Sequence, residues 1–188
     1  MIGTIENKSV LVVGLGYRTG LAAANFLAAR GCRVAVSDVK SEQDLAPVIA
    51  KLAKGVRVFA GNQDPSIFDA GFELVVLSPG VPQTIPLIAA ARGRGIPVIA
   101  EIELAYRFMK GKIIAITGTD GKSTTTTLTG HVLAQMGVHS IVGGNIGVPL
   151  VSLVGDTRED SVSVVELSSF QLETVDEFRP DVAALLNL

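Results

Sequence analysis

Ile113-Ile-Ala-Ile-Thr-Gly-Thr-Asp-Gly-Lys-Ser-Thr124 is the stretch that decides the fold. A short, wholly apolar run leads into a glycine loop, the loop ends in Lys-Ser, and a helical pattern follows over Ser123–Met136. Strand, glycine loop and helix in that order build a phosphate cradle. Loop amides surround phosphate oxygens, a lysine (Lys122) neutralises the β- and γ-phosphates, and a hydroxyl (Ser123) ligates Mg²⁺. The common form of this loop places a glycine five residues before the second glycine. Ile116 stands there, so the motif is the G-T-x-G-K-S/T variant. Gly118, Thr119, Asp120, Gly121, Lys122, Ser123 and Thr124 are therefore the candidate ATP-binding residues. Glu166 ends a later apolar strand, Ser161-Val-Ser-Val-Val-Glu166, which a parallel sheet would bring to the same edge as the loop. A carboxylate there can hold Mg²⁺, so Ser123 and Glu166 form the candidate metal site, and Lys122 and Glu166 the candidate catalytic pair; a solvated rim residue is the competing reading of Glu166.

Working outward, the chain alternates strand and helix patterns on both sides of this loop. Upstream lie apolar runs at 9–13, 33–37, 56–60, 74–77 and 97–100, separated by helical patterns at 21–30, 45–54 and 85–94. Such repeats build a parallel sheet covered by helices. Glu101–Lys110 reads as a connecting helix, and further strands are expected at 112–117, 140–142, 161–166 and 182–186. The expected fold is α/β, with a Rossmann-like domain over 1–100, a linker helix over 101–111, and an incomplete P-loop-type domain over 112–188. It is called incomplete because the last strand runs to Leu188 with no covering helix, which would leave apolar surface bare.

A second glycine loop, Gly14-Leu-Gly-Tyr-Arg-Thr-Gly20, follows the first strand. Glycines at such a turn let the backbone approach a diphosphate at a helix N-terminus. The spacing is one residue longer than the dinucleotide fingerprint, so a purely structural turn is the competing reading, as an exposed surface residue is for Arg18. Asp38 ends the second strand, where an acidic side chain often meets a sugar or base. Ser78-Pro-Gly-Val-Pro82 follows a later strand of the same sheet, at the edge where ligands of open sheets lie; a turn made by Pro and Gly alone is the competing reading.

Composition narrows the class. Hydrophobic residues make up 48% and charged residues 18%, enough apolar material for a core. The net charge of −2 and the lack of a basic cluster exclude a nucleic-acid footprint. No apolar run approaches the roughly 20 residues of a membrane helix, and Met1–Lys8 lacks the pattern of a signal peptide. One cysteine, Cys32, excludes a disulfide framework and suits a reducing cytoplasm; it is expected to be a packed residue.

The two glycine loops, Ser78-Pro-Gly80, Gly143-Gly-Asn-Ile-Gly147 and Glu166-Leu-Ser-Ser-Phe-Gln-Leu172 together resemble the Mur ligases, along the whole chain and in order. The last two segments are the most discriminating, and they point to the branch that adds D-glutamate. The resemblance implies ATP-dependent joining of D-glutamate to UDP-N-acetylmuramoyl-L-alanine through an acyl phosphate, in peptidoglycan precursor synthesis, with ATP and Mg²⁺ as cofactors. It implies that Gly16, Tyr17, Arg18, Thr19 and Gly20 face the diphosphate and that Asp38, Val39 and Lys40 surround the uracil. Ser78, Pro79 and Gly80 would contact the nucleotide, and Asn145 and Gln171 would reach toward the diphosphate and sugar. It further implies a cytoplasmic monomer, and a later histidine, modified lysine and D-glutamate-holding domain that would follow Leu188. The 188 residues alone are then expected to bind a uridine nucleotide without turning over. Asp120 stands where the family usually has Asn. The rival readings are an NAD-dependent oxidoreductase using Gly14–Gly20 and a non-catalytic nucleotide-binding module.

Overall fold

The computed structural model describes residues 4–61 and 63–188; the reading of Met1–Lys8 falls partly outside them. The chain divides into two compact units, Met1–Glu101 and Ile102–Leu188.

The first unit runs β1 (Ser9–Val13), α1 (Thr19–Ala28), β2 (Arg33–Asp38), α2 (Glu42–Ile49), β3 (Arg57–Ala60), a 3-10 turn (Pro65–Ala70), β4 (Leu74–Leu77), α3 (Pro86–Gly93) and β5 (Val98–Ala100). The five strands form one sheet in the order β3-β2-β1-β4-β5, parallel throughout. β1 and β4 are buried along their whole length, which is why they read as unbroken apolar runs rather than alternating ones. Leu11, Val13, Val75 and Leu77 pack with Phe68, Leu87, Ile88 and Ala91, so α3 and the 3-10 turn close one face of the sheet. Cys32 is buried and its thiol donates to the Ile5 carbonyl at 3.2 Å. Burial pushes the thiol up from its ordinary range, as suits a packed residue and not a nucleophile.

α4 (Glu101–Tyr106) starts at the last residue of the first unit, and the second unit continues with β6 (Lys112–Thr117), α5 (Lys122–Gln135), β7 (Ser140–Gly144), α6 (Leu150–Leu153), a 3-10 turn (Val154–Asp156), β8 (Val162–Glu166), α7 (Ser169–Leu172) and β9 (Val182–Leu185). Its four strands are parallel in the order β7-β8-β6-β9. β9 is an edge strand, and Val182 and Leu185 are 54% and 60% exposed.

The element boundaries differ from the sequence reading at several places. α2 begins at Glu42, three residues before the expected start, because Ser41 caps it by accepting the Asp44 amide. The helix after β5 stops at Tyr106, short of Lys110. α6, α7 and both 3-10 turns went unread, being too short to show a helical period.

Because all strands of each sheet are parallel, their carboxyl ends share one edge. In the first unit that edge carries the Gly14–Gly20 loop after β1, Asp38 at the end of β2 and Ser78 after β4. In the second it carries the Gly118–Thr124 segment after β6, Asn145 after β7 and Glu166 at the end of β8.

Candidate functional site

In the first unit, the glycine loop is fixed by what surrounds it. The Gly14 amide donates to the Ser37 carbonyl at 2.8 Å, and Ser78 Oγ donates to the Gly14 carbonyl at 2.7 Å. Asp38 supports the same loop: Oδ2 accepts the Leu15 amide at 2.7 Å and Oδ1 the Lys40 amide at 3.0 Å. The carboxylate thus ties the loop after β1 to the turn after β2, a structural role that its sequence position alone does not reveal.

The glycines divide their work. A Cβ on Gly20 would fall within the Gly14 carbonyl oxygen, so Gly20 is required for α1 to start against the loop. A Cβ on Gly16 would meet nothing within 4 Å, so the fold makes no local demand for glycine there. Bare backbone at Gly16 faces open space, where a ligand can come close. Gly20→Ala is therefore expected to destabilise the first unit by about 1–3 kcal/mol, while Gly16→Ala leaves its melting close to that of the parent. Paired thermal melts check this.

The loop opens onto a cleft of about 430 Å³. Gly16, Tyr17, Arg18, Thr19 and Gly20 line it, together with Asp38, Ser78, Pro79 and Gly80. Val39 and Lys40 follow Asp38 but are not among its lining residues; Val39 is 69% exposed.

In the second unit, Lys122 Nζ curls over the Gly118–Thr124 loop, donating to the Gly118 carbonyl at 2.7 Å and the Thr119 carbonyl at 2.8 Å. The first bond of α5 runs from the Thr125 amide to the Gly121 carbonyl, so the amides of Lys122, Ser123 and Thr124 have no acceptor within the helix. They are the donors that a helix N-terminus offers to an anion. The loop is exposed at Thr119, Asp120 and Gly121.

Glu166 is 2% exposed, and both of its oxygens are engaged. Ser123 Oγ donates to Oε2 at 2.7 Å, and Asn145 Nδ2 donates to Oε1 at 2.8 Å. The sheet register explains the meeting: Glu166 lies between Ile116 of β6 and Gly144 of β7. A Cβ on Gly144 would overlap the Glu166 carbonyl oxygen, so glycine there lets β7 end close enough for Asn145 to reach the carboxylate. Ser123 and Glu166 offer two hard oxygen donors at one point, the donor type Mg²⁺ takes alongside phosphate oxygens and water. Among the described residues no group of three or more His, Cys, Asp and Glu side chains gathers elsewhere to hold a metal.

Gln171 is buried at 3% exposure and closes a capping box at the start of α7. Its Oε1 accepts the Ser168 amide at 3.0 Å and also meets Ser168 Oγ at 3.1 Å. The Ser168-x-x-Gln171 spacing is a local signature of that box, but the sequence reading used Gln171 only through the family resemblance. Asn187 was missed altogether. It contacts the Thr119 and Asp120 amides across a large sequence separation, which no local pattern announces.

Residues 8–100 match the family model of the Mur ligase MurD-like N-terminal domain, and residues 116–188 match that of the Mur ligase middle domain. The chain belongs to the Mur ligase family. Among curated relatives of this Mur ligase chain, the UDP-N-acetylmuramoylalanine--D-glutamate ligases of Acidobacterium capsulatum and Koribacter versatilis are each 50% identical over 185 residues. That of Geotalea uraniireducens is 51% identical over 183 residues. These alignments cover 97–98% of the Mur ligase chain but only 40% of each relative, so the chain spans about two-fifths of their length. Among solved structures, the UDP-N-acetylmuramate:L-alanyl-gamma-D-glutamyl-meso-diaminopimelate ligase of Neisseria meningitides matches with a TM-score of 0.58 at 20% identity, over 96% of this chain and 60% of that one. UDP-N-acetylmuramate-alanine ligase MurC of Thermotoga maritima matches with a TM-score of 0.53 at 23% identity, over 95% and 41% of the two chains. At these identities the likeness speaks to the Mur ligase fold alone.

Proposed function

We propose that this chain carries the uridine-nucleotide site and the ATP site of an enzyme that joins D-glutamate to UDP-N-acetylmuramoyl-L-alanine. The observation that carries the ATP half is the cluster at the carboxyl edge of the second sheet. Lys122 lies over the loop, and Ser123 and Asn145 both meet the Glu166 carboxylate. The acceptor and the incoming amino acid rest on the names of relatives about 50% identical over nearly the whole chain.

In this reading, Gly16–Gly20 and the start of α1 take the diphosphate of the sugar nucleotide, with Ser78–Gly80 opposite and Val39 and Lys40 beside the base. The Gly118–Thr124 loop takes the triphosphate. The amides at the head of α5 and the Lys122 ammonium face charge that grows as the γ-phosphoryl group moves, which is where fixed donors lower a barrier. Ser123 and Glu166 would hold Mg²⁺, which supplies charge neutralisation between the phosphates when bound. Asn145 fixes the rotation of the Glu166 carboxylate toward Ser123; reaching the sugar nucleotide, as the family resemblance implies, would call on this residue too. Gln171 serves in the same reading by setting the turn after β8. Two anions, a carboxylate and a triphosphate, have to meet for an acyl phosphate to form, and these cationic and dipolar groups make that meeting tolerable.

We assign uridine-nucleotide binding to 1–100, a connecting helix to 101–111 and ATP binding to 112–188. The same reading makes the protein a cytoplasmic monomer that works without nucleic acid. No helix among the described residues is long and apolar enough to cross a membrane.

Titration with UDP-N-acetylmuramoyl-L-alanine and, separately, with NADH tests the first site. Saturable binding of the sugar nucleotide with none of NADH is expected, and Tyr17 and Ser78 amides should respond. Preference for NADH would replace the ligase reading with that of an oxidoreductase.

A further inference from the structure

We propose that Asn187 is a positioning residue for the triphosphate, splinting the first half of the phosphate loop so that the second half can grip the nucleotide. The proposal rests on the ATP reading above and assigns a role within that site. β9 ends at Leu185, and the Leu186 amide continues its ladder by donating to the Thr117 carbonyl at 3.0 Å. That step carries Asn187 alongside Gly118–Asp120. Its Oδ1 accepts the Thr119 amide at 2.9 Å and the Asp120 amide at 2.8 Å, and its Nδ2 donates to the Asp120 carbonyl at 3.1 Å. The Thr119 amide also reaches the Asn187 main-chain carbonyl at 3.3 Å. The approach is close: a Cβ on Gly118 would lie 3.1 Å from the Asn187 nitrogen.

One carboxamide thus fills two donors and one acceptor of a loop that has glycine at both Gly118 and Gly121. Asparagine suits this task because it accepts and donates from the same planar group, where aspartate only accepts. The consequence is a division of labour. The Thr119 and Asp120 amides are spent on Asn187, and the Gly118 and Thr119 carbonyls on Lys122. The phosphates are left the amides at the head of α5. A glycine loop held in shape before the ligand arrives loses less conformational freedom on binding, which is how a residue that touches no phosphate raises affinity. The opposite arrangement is a latch, in which Asn187 occupies amides that the phosphates need and must leave first. The two differ in sign.

The test uses the whole 188-residue chain, its N187A variant and its N187D variant. Amide exchange at Thr119 and Asp120 is measured without nucleotide, then Mg-ATP is titrated, with a sugar-nucleotide titration of the first unit as internal reference. The splint predicts faster exchange at those two amides in N187A and about tenfold weaker Mg-ATP binding, the size of one lost hydrogen bond to the loop. Sugar-nucleotide binding and the melting of the β6–β8 core stay with the parent. N187D keeps the acceptor, so exchange stays slow, but the lost donor and added charge leave Mg-ATP binding weak. Equal or tighter Mg-ATP binding by a folded N187A overturns the splint. Fast exchange at both amides in N187D also overturns it, and decides the matter should N187A fail to fold. A parent chain that binds no Mg-ATP overturns the ATP reading itself, and the role of Asn187 with it.

Discussion

Glu103→Ala is expected to lower the stability of the second unit by about 3–5 kcal/mol, the cost of removing one partner from a buried charged network. Glu103 is wholly buried, and its Oε2 accepts three successive amides, from Asp176, Glu177 and Phe178, at 3.0, 3.1 and 2.9 Å. Its Oε1 meets Arg107 at 3.3 Å, and Arg107 in turn pairs with Glu177 at 3.2 Å. Consecutive amides converging on a carboxylate form an anion nest. Here the nest pins the segment between α7 and β9 to α4, and an edge-type contact between the Tyr106 and Phe178 rings, with centres 5.4 Å apart, adds to the seam. Alanine would leave three amides facing a void and Arg107 with Glu177 as its remaining carboxylate partner. Glu103→Gln keeps the size and one acceptor oxygen but loses the charge, and should cost clearly less, about 1–3 kcal/mol. Urea melts of the two variants check the order. Equal, small losses for both would show that water replaces the carboxylate freely.

Lys122→Ala is expected to weaken Mg-ATP binding by about 100-fold while the melting point moves little, because charged hydrogen bonds contribute about 1.5–3 kcal/mol each. The ammonium now rests on the Gly118 and Thr119 carbonyls, at the mouth of the loop. It is therefore placed to share its donors with phosphate oxygens through a small movement of a flexible stem. Lys122→Arg should not restore binding, since a planar fork cannot replace a compact ammonium curled over two adjacent carbonyls. Titrations of the two variants at equal Mg²⁺ measure both effects.

The parts of this molecule that were legible in the sequence are those whose cause is local. Buried parallel strands show as unbroken apolar runs, as at Leu74–Leu77, and glycine follows directly where β1, β3 and β6 end. The strand–loop–helix unit around Gly118–Thr124 was legible because strand, glycines, Lys122 and Ser123 are contiguous. Glu166 was legible by one further step, since a parallel strand ending in an acid shares the edge of the loop. Ser41 and the Ser168–Gln171 box were local signals too, but their helices are short, and periodicity, the cue followed, hardly exists over four to eight residues. What could not be read is the pairing of side chains with distant backbone. Asp38 was singled out for its charge, yet the Leu15 amide that it holds is 23 residues away. Glu103 and Asn187 reach across 73 and 68 residues, and nothing in their neighbourhoods sets either apart from an ordinary helix glutamate or strand-end asparagine.

The loop after β6 is the point on which the functional account turns, and titrating ATP into the 188-residue chain with and without Mg²⁺, followed at individual amides, tests it most directly. The account predicts saturable shifts at Lys122, Ser123 and Thr124 that strengthen with Mg²⁺, accompanied by a change at the Asn145 side chain as Ser123 releases Glu166. Amides at the head of α5 that stay unmoved at millimolar ATP, with Mg²⁺ making no difference, would contradict it.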